Sequence, residues 1–87
     1  MKFPIGRLLA TPGVLEAVSA PDISLALQRH LLCDWGDICQ EDKHHNDRAL
    51  IDGERLLSAY HTPEGVKFWI ITEADRSATT VLLPEEY

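Results

Sequence analysis

Cysteine is scarce in this chain: Cys33 and Cys39 are the only two among 87 residues. Two residues cannot make the disulfide framework of a small secreted domain, so both are expected as thiols in a reducing, cytoplasmic setting. Long apolar runs are missing as well. The longest, Val66 to Thr72 and Val81 to Leu83, are strand-sized, far short of the roughly 20 residues that cross a bilayer. The opening Met-Lys-Phe-Pro-Ile-Gly-Arg has neither the hydrophobic region nor the cleavage site of a secretory leader. No membrane partner is expected.

Glycine is thin and scattered, five residues with no two adjacent, which leaves no Walker loop and no dinucleotide fingerprint to cradle a phosphate. A Gly-x-Ser-x-Gly turn is absent too, and the pattern places no base beside Ser58 or Ser77, so nucleophilic hydrolysis is disfavoured. No cofactor and no catalytic residue are expected. Basic residues are in deficit, 8 against 14 acids for a net charge of −6, which argues against direct attraction to nucleic-acid phosphates or anionic lipid.

What the chain does have is ordinary globular composition, 45% apolar and 25% charged. Its length suits a single domain over residues 1–87, burying roughly 60–65% of the unfolded surface. A core that small leaves a margin on the order of 5 kcal/mol, and a homodimer through an apolar face would be one way to supplement it. The acids cluster. Asp34, Asp37, Glu41, Asp42, Asp47, Asp52 and Glu54 stand against only Lys43 and Arg48, a local balance of −5, and the rest of the chain carries −1.

Phe3 to Ala10 reads as a short edge strand bent at Gly6. Thr11-Pro12 supplies a hydroxyl cap and a proline for the first turn of a helix carrying Val14, Leu15 and Val18. Ser19-Ala-Pro-Asp22 repeats that start for a second helix, with Ile23, Ala26, Leu27, His30 and Leu31 on one face. Asp34-Trp35-Gly36-Asp37 turns the chain, and Asp37 with Gln40 predicts a capping box for a third helix to about Ile51, stopped by Gly53. Its inward row is expected to hold Ile38, Asp42, His45 and Ala49, with Asn46 and Leu50 beside it. Beyond Gly53 the period becomes two. Arg55–His61 and Val66–Thr72 form a hairpin about Thr62-Pro63-Glu64-Gly65, and Thr79–Leu83 is a last strand ended by Pro84. The expected class is α+β, three helices packed on one face of a small, mainly antiparallel sheet in the order β-α-α-α-β-β-β.

A metal site is the sharpest chemistry on offer, because His44, His45, Cys33, Cys39 and several carboxylates are close in sequence. Spacing argues against it: the cysteines are six apart, and neighbouring helical histidines point about 100° from each other. His45 is instead expected to be partly buried, His44 solvated, and Cys33 a small apolar filler. No metal is expected. Trp35, flanked by acids, is either a plug at the end of the core or an exposed anchor for a partner with an apolar pocket ringed by basic residues. In Glu73-Ala-Asp75-Arg76-Ser77, Asp75 and Ser77 can tie a loop locally while Arg76 pairs with Glu73 or Asp75. The alternative is a polar site in which Arg76 faces an anionic ligand.

Phe3-Pro-Ile-Gly6, Ala10-Thr-Pro-Gly13, the Asp34-Trp35-Gly36-Asp37 turn, Arg55-Leu-Leu-Ser-Ala-Tyr60, Trp69-Ile-Ile-Thr-Glu-Ala-Asp-Arg-Ser77 and Leu82-Leu-Pro-Glu-Glu-Tyr87 together resemble a group of short bacterial proteins associated with plasmids and other mobile elements. The resemblance spans nearly the whole chain and implies no activity. Some members carry a label as a type I restriction methylation subunit. An adenine methyltransferase needs a glycine-rich cofactor turn and an Asn-Pro-Pro-aromatic loop, and this chain has neither. The expected function is therefore non-enzymatic interaction, through Trp35, Asp37, Glu41, Asp42 and Asp47, with a protein partner that presents a basic surface. The alternative is a small ligand-binding or catalytic domain around Glu73, Asp75 and Arg76.

Overall fold

The computed structural model describes residues 2–87. Strand β1 (Arg7–Ala10) is followed by helices α1 (Pro12–Ala17), α2 (Ala20–Leu31) and α3 (Gln40–Asp52), strands β2 (Leu56–His61), β3 (Lys67–Thr72) and β4 (Ala78–Leu82), and a 3-10 turn, Pro84–Glu86. The four strands lie in the order β1-β4-β3-β2. β4 is antiparallel to β3, and β3 to β2, while β1 runs parallel to β4. The fold is α+β, in the order expected.

Local chemistry explains most boundaries. The Thr11 hydroxyl accepts from the N–H of Val14 and the Ser19 hydroxyl from that of Asp22, so each short helix begins on its cap with a proline in the first turn. Gly53 ends α3 in the left-handed region, φ 74°, which costs a residue without Cβ little. The hairpin closes with the N–H of Gly65 donating to the carbonyl of Thr62 at 2.9 Å, as the proline-second pattern predicted.

Period-two alternation splits the sheet into two faces. Leu56, Ser58, Tyr60, Phe68, Ile70, Thr72, Thr79 and Val81, all buried, share the face under the helices. Val14, Val18 and Ala26 from α1 and α2 pack there on Tyr60, Phe68, Ile70 and Val81. A second cluster gathers Phe3, Trp35, Ala49 and Leu56 under α3. Across the sheet, the C-terminal turn sets Tyr87 edge-on against Trp69 at 5.9 Å between rings. Glu86 pins that turn to α1, accepting from the Thr11 hydroxyl at 2.5 Å and the Gly13 N–H at 3.1 Å.

Two expectations about α3 need correction. Asp37 does not cap it: the helix begins at Gln40 on Cys39, with no side-chain cap. Asp37 is held in a bend beside β2, its N–H on the carbonyl of Ala59 at 2.7 Å and its carboxylate on His61 Nδ1 at 2.7 Å. Nor is His45 in the inward row, since His45 and Asp42 are exposed and the buried positions are Asn46 and Ala49. Asn46 decides the rotation. Its amide donates to the carbonyl of Leu57 at 2.7 Å and accepts the Leu57 N–H at 3.2 Å, pairing with β2 as a neighbouring strand would.

Candidate functional site

The acidic segment from Asp34 to Glu54 contains α3 and lies along the β2 edge. Its entry turn is stitched to that edge. Ala59 donates to the carbonyl of Trp35 at 3.2 Å, and Gly36 bridges to Ala59 at φ 77° so closely that a Cβ on residue 36 would overlap the Ala59 carbonyl. Arg29 holds Asp34 through two bonds, 2.8 and 3.2 Å, and draws its carboxyl below the ordinary carboxylate range, mainly through that bonding.

Trp35 is 3% exposed, so the core-plug alternative is the one adopted and the indole is not a surface anchor. Its Nε1 donates to Asp47 at 3.0 Å, which gives one expected partner-binding carboxylate a structural bond. Asp37 has another in His61. Glu41 and Asp42 are exposed in the first turn of α3. The feature missed in the sequence is Ile51, 85% exposed on the same helix, beside Arg48 and Asp52 around a shallow hollow of about 270 Å3. Its neighbours Ala49 and Leu50 turn inward, and three consecutive aliphatic residues carry no periodic signal to show which one faces out.

The Arg76 loop has a different occupation from either expectation. The Ser77 N–H does donate to Asp75 at 3.0 Å, but Arg76 pairs with neither acid side chain. Its guanidinium donates to the carbonyls of Ala49 at 3.0 Å, Glu54 at 2.5 Å and Glu73 at 3.2 Å, over the ring of Phe3. It thus satisfies carbonyls at the C-terminal end of α3. Arg76 borders neither the hollow beside Ile51 nor the space between α2 and the β2–β3 hairpin.

Ser58, read from sequence as having no base nearby, has one. His30 Nδ1 meets its hydroxyl, and His30 Nε2 lies 2.9 Å from the Thr72 hydroxyl. Thr72 meets Thr79 at 2.8 Å, and Thr79 donates to the carbonyl of Ile5 at 2.7 Å. A carbonyl only accepts, so each proton in the chain is assigned: Thr79 gives its proton to Ile5, Thr72 to Thr79, His30 Nε2–H to Thr72, and Ser58 to Nδ1. Both Ser58 and His30 are fully buried between sheet and helix, and Phe3 and Trp35 meet the imidazole edge to face. Among the described residues the imidazole bonds only to these two hydroxyls, and no carboxylate is paired with it. Burial therefore pushes its pKa down, to about 4. A sealed, neutral Ser–His pair stabilises the core and reaches no substrate.

Comparison of the chain with protein-family models, curated proteins and solved structures returns no match. Among the described residues no three histidine, cysteine or acidic side chains converge as metal ligands would, and no helix is long and apolar enough to cross a membrane. A cavity of about 300 Å3 with a mixed polar and apolar lining opens between α2 and the β2–β3 hairpin, bordered in part by Asp22, Leu25, Arg29, Tyr60, His61 and Phe68.

Proposed function

We propose that this protein is a non-enzymatic interaction module, of the mobile-element kind its motifs resemble, and that α3 is the surface it presents to a basic protein partner. The observation that carries the reading is how the helix is mounted. α3 gives little apolar surface to the core, chiefly Ala49 and Leu50, yet polar bonds hold it at three places: Asn46 to β2, Asp47 to Trp35, and Ala49 to Arg76. A helix fixed by directional bonds rather than by burial has its outer face in one defined orientation. The outer side carries Glu41 in the first turn and, about 15 Å further along the helix, the exposed Ile51 beside Asp52 and Arg48, an apolar anchor on an acidic helix that suits a pocket flanked by Arg or Lys.

The test is affinity capture with the wild type, with Glu41→Lys/Asp42→Lys and with Ile51→Ala, read by quantitative mass spectrometry. Basic partners held by the wild type should be lost from both variants and weakened by salt. Equal recovery on all three baits would end the reading. Asp37 and Asp47 are left unchanged because their bonds to His61 and Trp35 maintain the fold.

A second reading has one observation in its favour, the cavity beside Arg29 and His61. It moves the small-ligand alternative from Arg76 to the hairpin side of α2. Leu25→Lys, on the exposed side of α2 at the cavity rim and away from the α3 entry turn, would abolish binding of any ligand seated there while sparing the α3 partners.

A further inference from the structure

We propose that the open edge of the sheet is a self-association surface, on which β1 pairs antiparallel with β1 of a second copy to make one continuous eight-stranded sheet. The two edges of the sheet are treated in opposite ways. At β2 every outward backbone group of Leu57 and Ala59 is taken by the chain itself, through Asn46, Trp35 and Asp37. At β1 the N–H groups of Arg7 and Thr11 point inward, to Ser77 and Val81. The period of two then turns the N–H and C=O of Leu8 and Ala10 outward. Arg7–Ala10 is exposed throughout and carries neither a proline nor an acidic residue. An unguarded strand edge of this kind is a template for pairing.

Three features point to a second copy as the occupant. Backbone complementarity is the first. With the two-fold axis at Leu9, Leu8 of one copy faces Ala10 of the other, and the two residues exchange both of their bonds at each end, four in all, without recruiting Gly6, which sits at φ 66°. Side chains are the second. In this register Leu9, 43% exposed, meets its own copy, while Leu8 and Leu15, 50% and 61% exposed, border an uncharged groove of about 380 Å3 that Val18, Ile23 and Leu27 also line. Charge is the third. Arg7, the only charged side chain of the strand, would oppose Thr11 of the copy, whose hydroxyl is bonded to Glu86, so that each Arg7 gains a carboxylate across the axis. The acidic α3 packs at β2, three strands from the open edge. The two acidic faces end up at opposite ends of the dimer, about 30 Å apart, beyond the screening length of ordinary buffers.

Four backbone bonds and a few leucines make a small interface, so dissociation on the order of 10 µM is expected. Sedimentation equilibrium of the whole chain from about 1 to 500 µM should show a monomer–dimer equilibrium. Leu9→Lys, which sets two ammonium groups against each other on the axis, should weaken it at least tenfold with the circular dichroism unchanged. Ile51→Lys should leave it untouched. A register test does not depend on either variant: in a Cys33→Ser/Cys39→Ser background, Leu9→Cys places two sulfurs across a non-hydrogen-bonded pair and should oxidise to a covalent dimer. Leu8→Cys should do so at least tenfold more slowly. A monomer across the whole range overturns the proposal and leaves the edge to a foreign strand. So does a dimer indifferent to Leu9→Lys, and so does equal cross-linking from the two cysteine positions.

Discussion

His30 is the residue on which the interior depends most. Its neutral form is fixed by four successive proton donations ending on Ile5, and an added proton would have no carboxylate to answer it. Because the folded pKa, about 4, lies below the ordinary 6.5, folding favours the neutral ring. Stability should be whole above pH 6.5, fall as the pH drops toward 4, and level off below that, a loss of about 3 kcal/mol from this residue. Asp34, held low by Arg29, loses its own contribution at lower pH than its ordinary 3.8, so the two windows separate. Urea unfolding between pH 7 and 4 is the measurement. His30→Gln should be less stable at pH 7 and should lack most of this slope, and a wild-type profile no steeper than the variant's would contradict the account. Asn46 is the second residue of this kind. Asn46→Asp keeps the shape but loses the amide donor and sets a carboxylate against the Leu57 carbonyl. The expected cost is about 2 kcal/mol in urea melts, with Asn46→Ala close behind.

At the scale of elements, α3 is held by a residue outside itself. Arg76 bonds two carbonyls at or just beyond its last turn, so Arg76→Lys, with one ammonium in place of a planar fork, should not span them. About 1 kcal/mol of stability should go, and the amide protons of Gly53 and Glu54, both bonded to Ala49, should exchange faster while those of β3 do not. Uniform acceleration across the domain would mean that the tie is global rather than local. This element also marks where sequence reading stops. α1, α2 and the hairpin were legible because their signals are local: a hydroxyl before a proline, an apolar period, a turn of Thr-Pro-Glu-Gly. α3 was legible in extent, through Gly53, but not in rotation. Its aliphatic residues are consecutive, and the bonds that orient it reach Leu57, Trp35 and Arg76, separations of 11, 12 and 27 residues that no spacing rule encodes. The same distance problem hid the pairing of Ser58 with His30 and turned the Asp37 capping signal into a bond to the β2 edge. The acidic segment itself was legible as charge; that Ile51 rather than Trp35 is its exposed apolar residue was not.

Taken whole, the molecule has an edge closed by its own side chains, an edge left open, and two chain segments far apart in sequence that meet. Glu86 reaches Thr11 across 75 positions and also accepts the N–H of Leu83 at 3.0 Å. The C-terminal turn therefore does two jobs: it caps the start of α1 and lays Tyr87, with Arg55 over its ring, against the half-buried Trp69. Removing residues 84–87 should undo both. The midpoint of thermal unfolding should fall by roughly 5–10 °C, the shift expected of a loss of one to two kcal/mol in a domain this size. The fluorescence should also move to the red, because Trp69 gains water while Trp35, 3% exposed and bonded to Asp47, keeps its surroundings. Trp69→Phe in the truncated chain separates the two indoles: if the red shift survives that substitution, the signal comes from Trp35, and the turn supports the second core cluster instead of the far face of the sheet. Glu86→Gln isolates the cap from the cover. It keeps Tyr87 on Trp69 but leaves the amino end of α1 with a neutral acceptor, so it should lower the midpoint without shifting the emission.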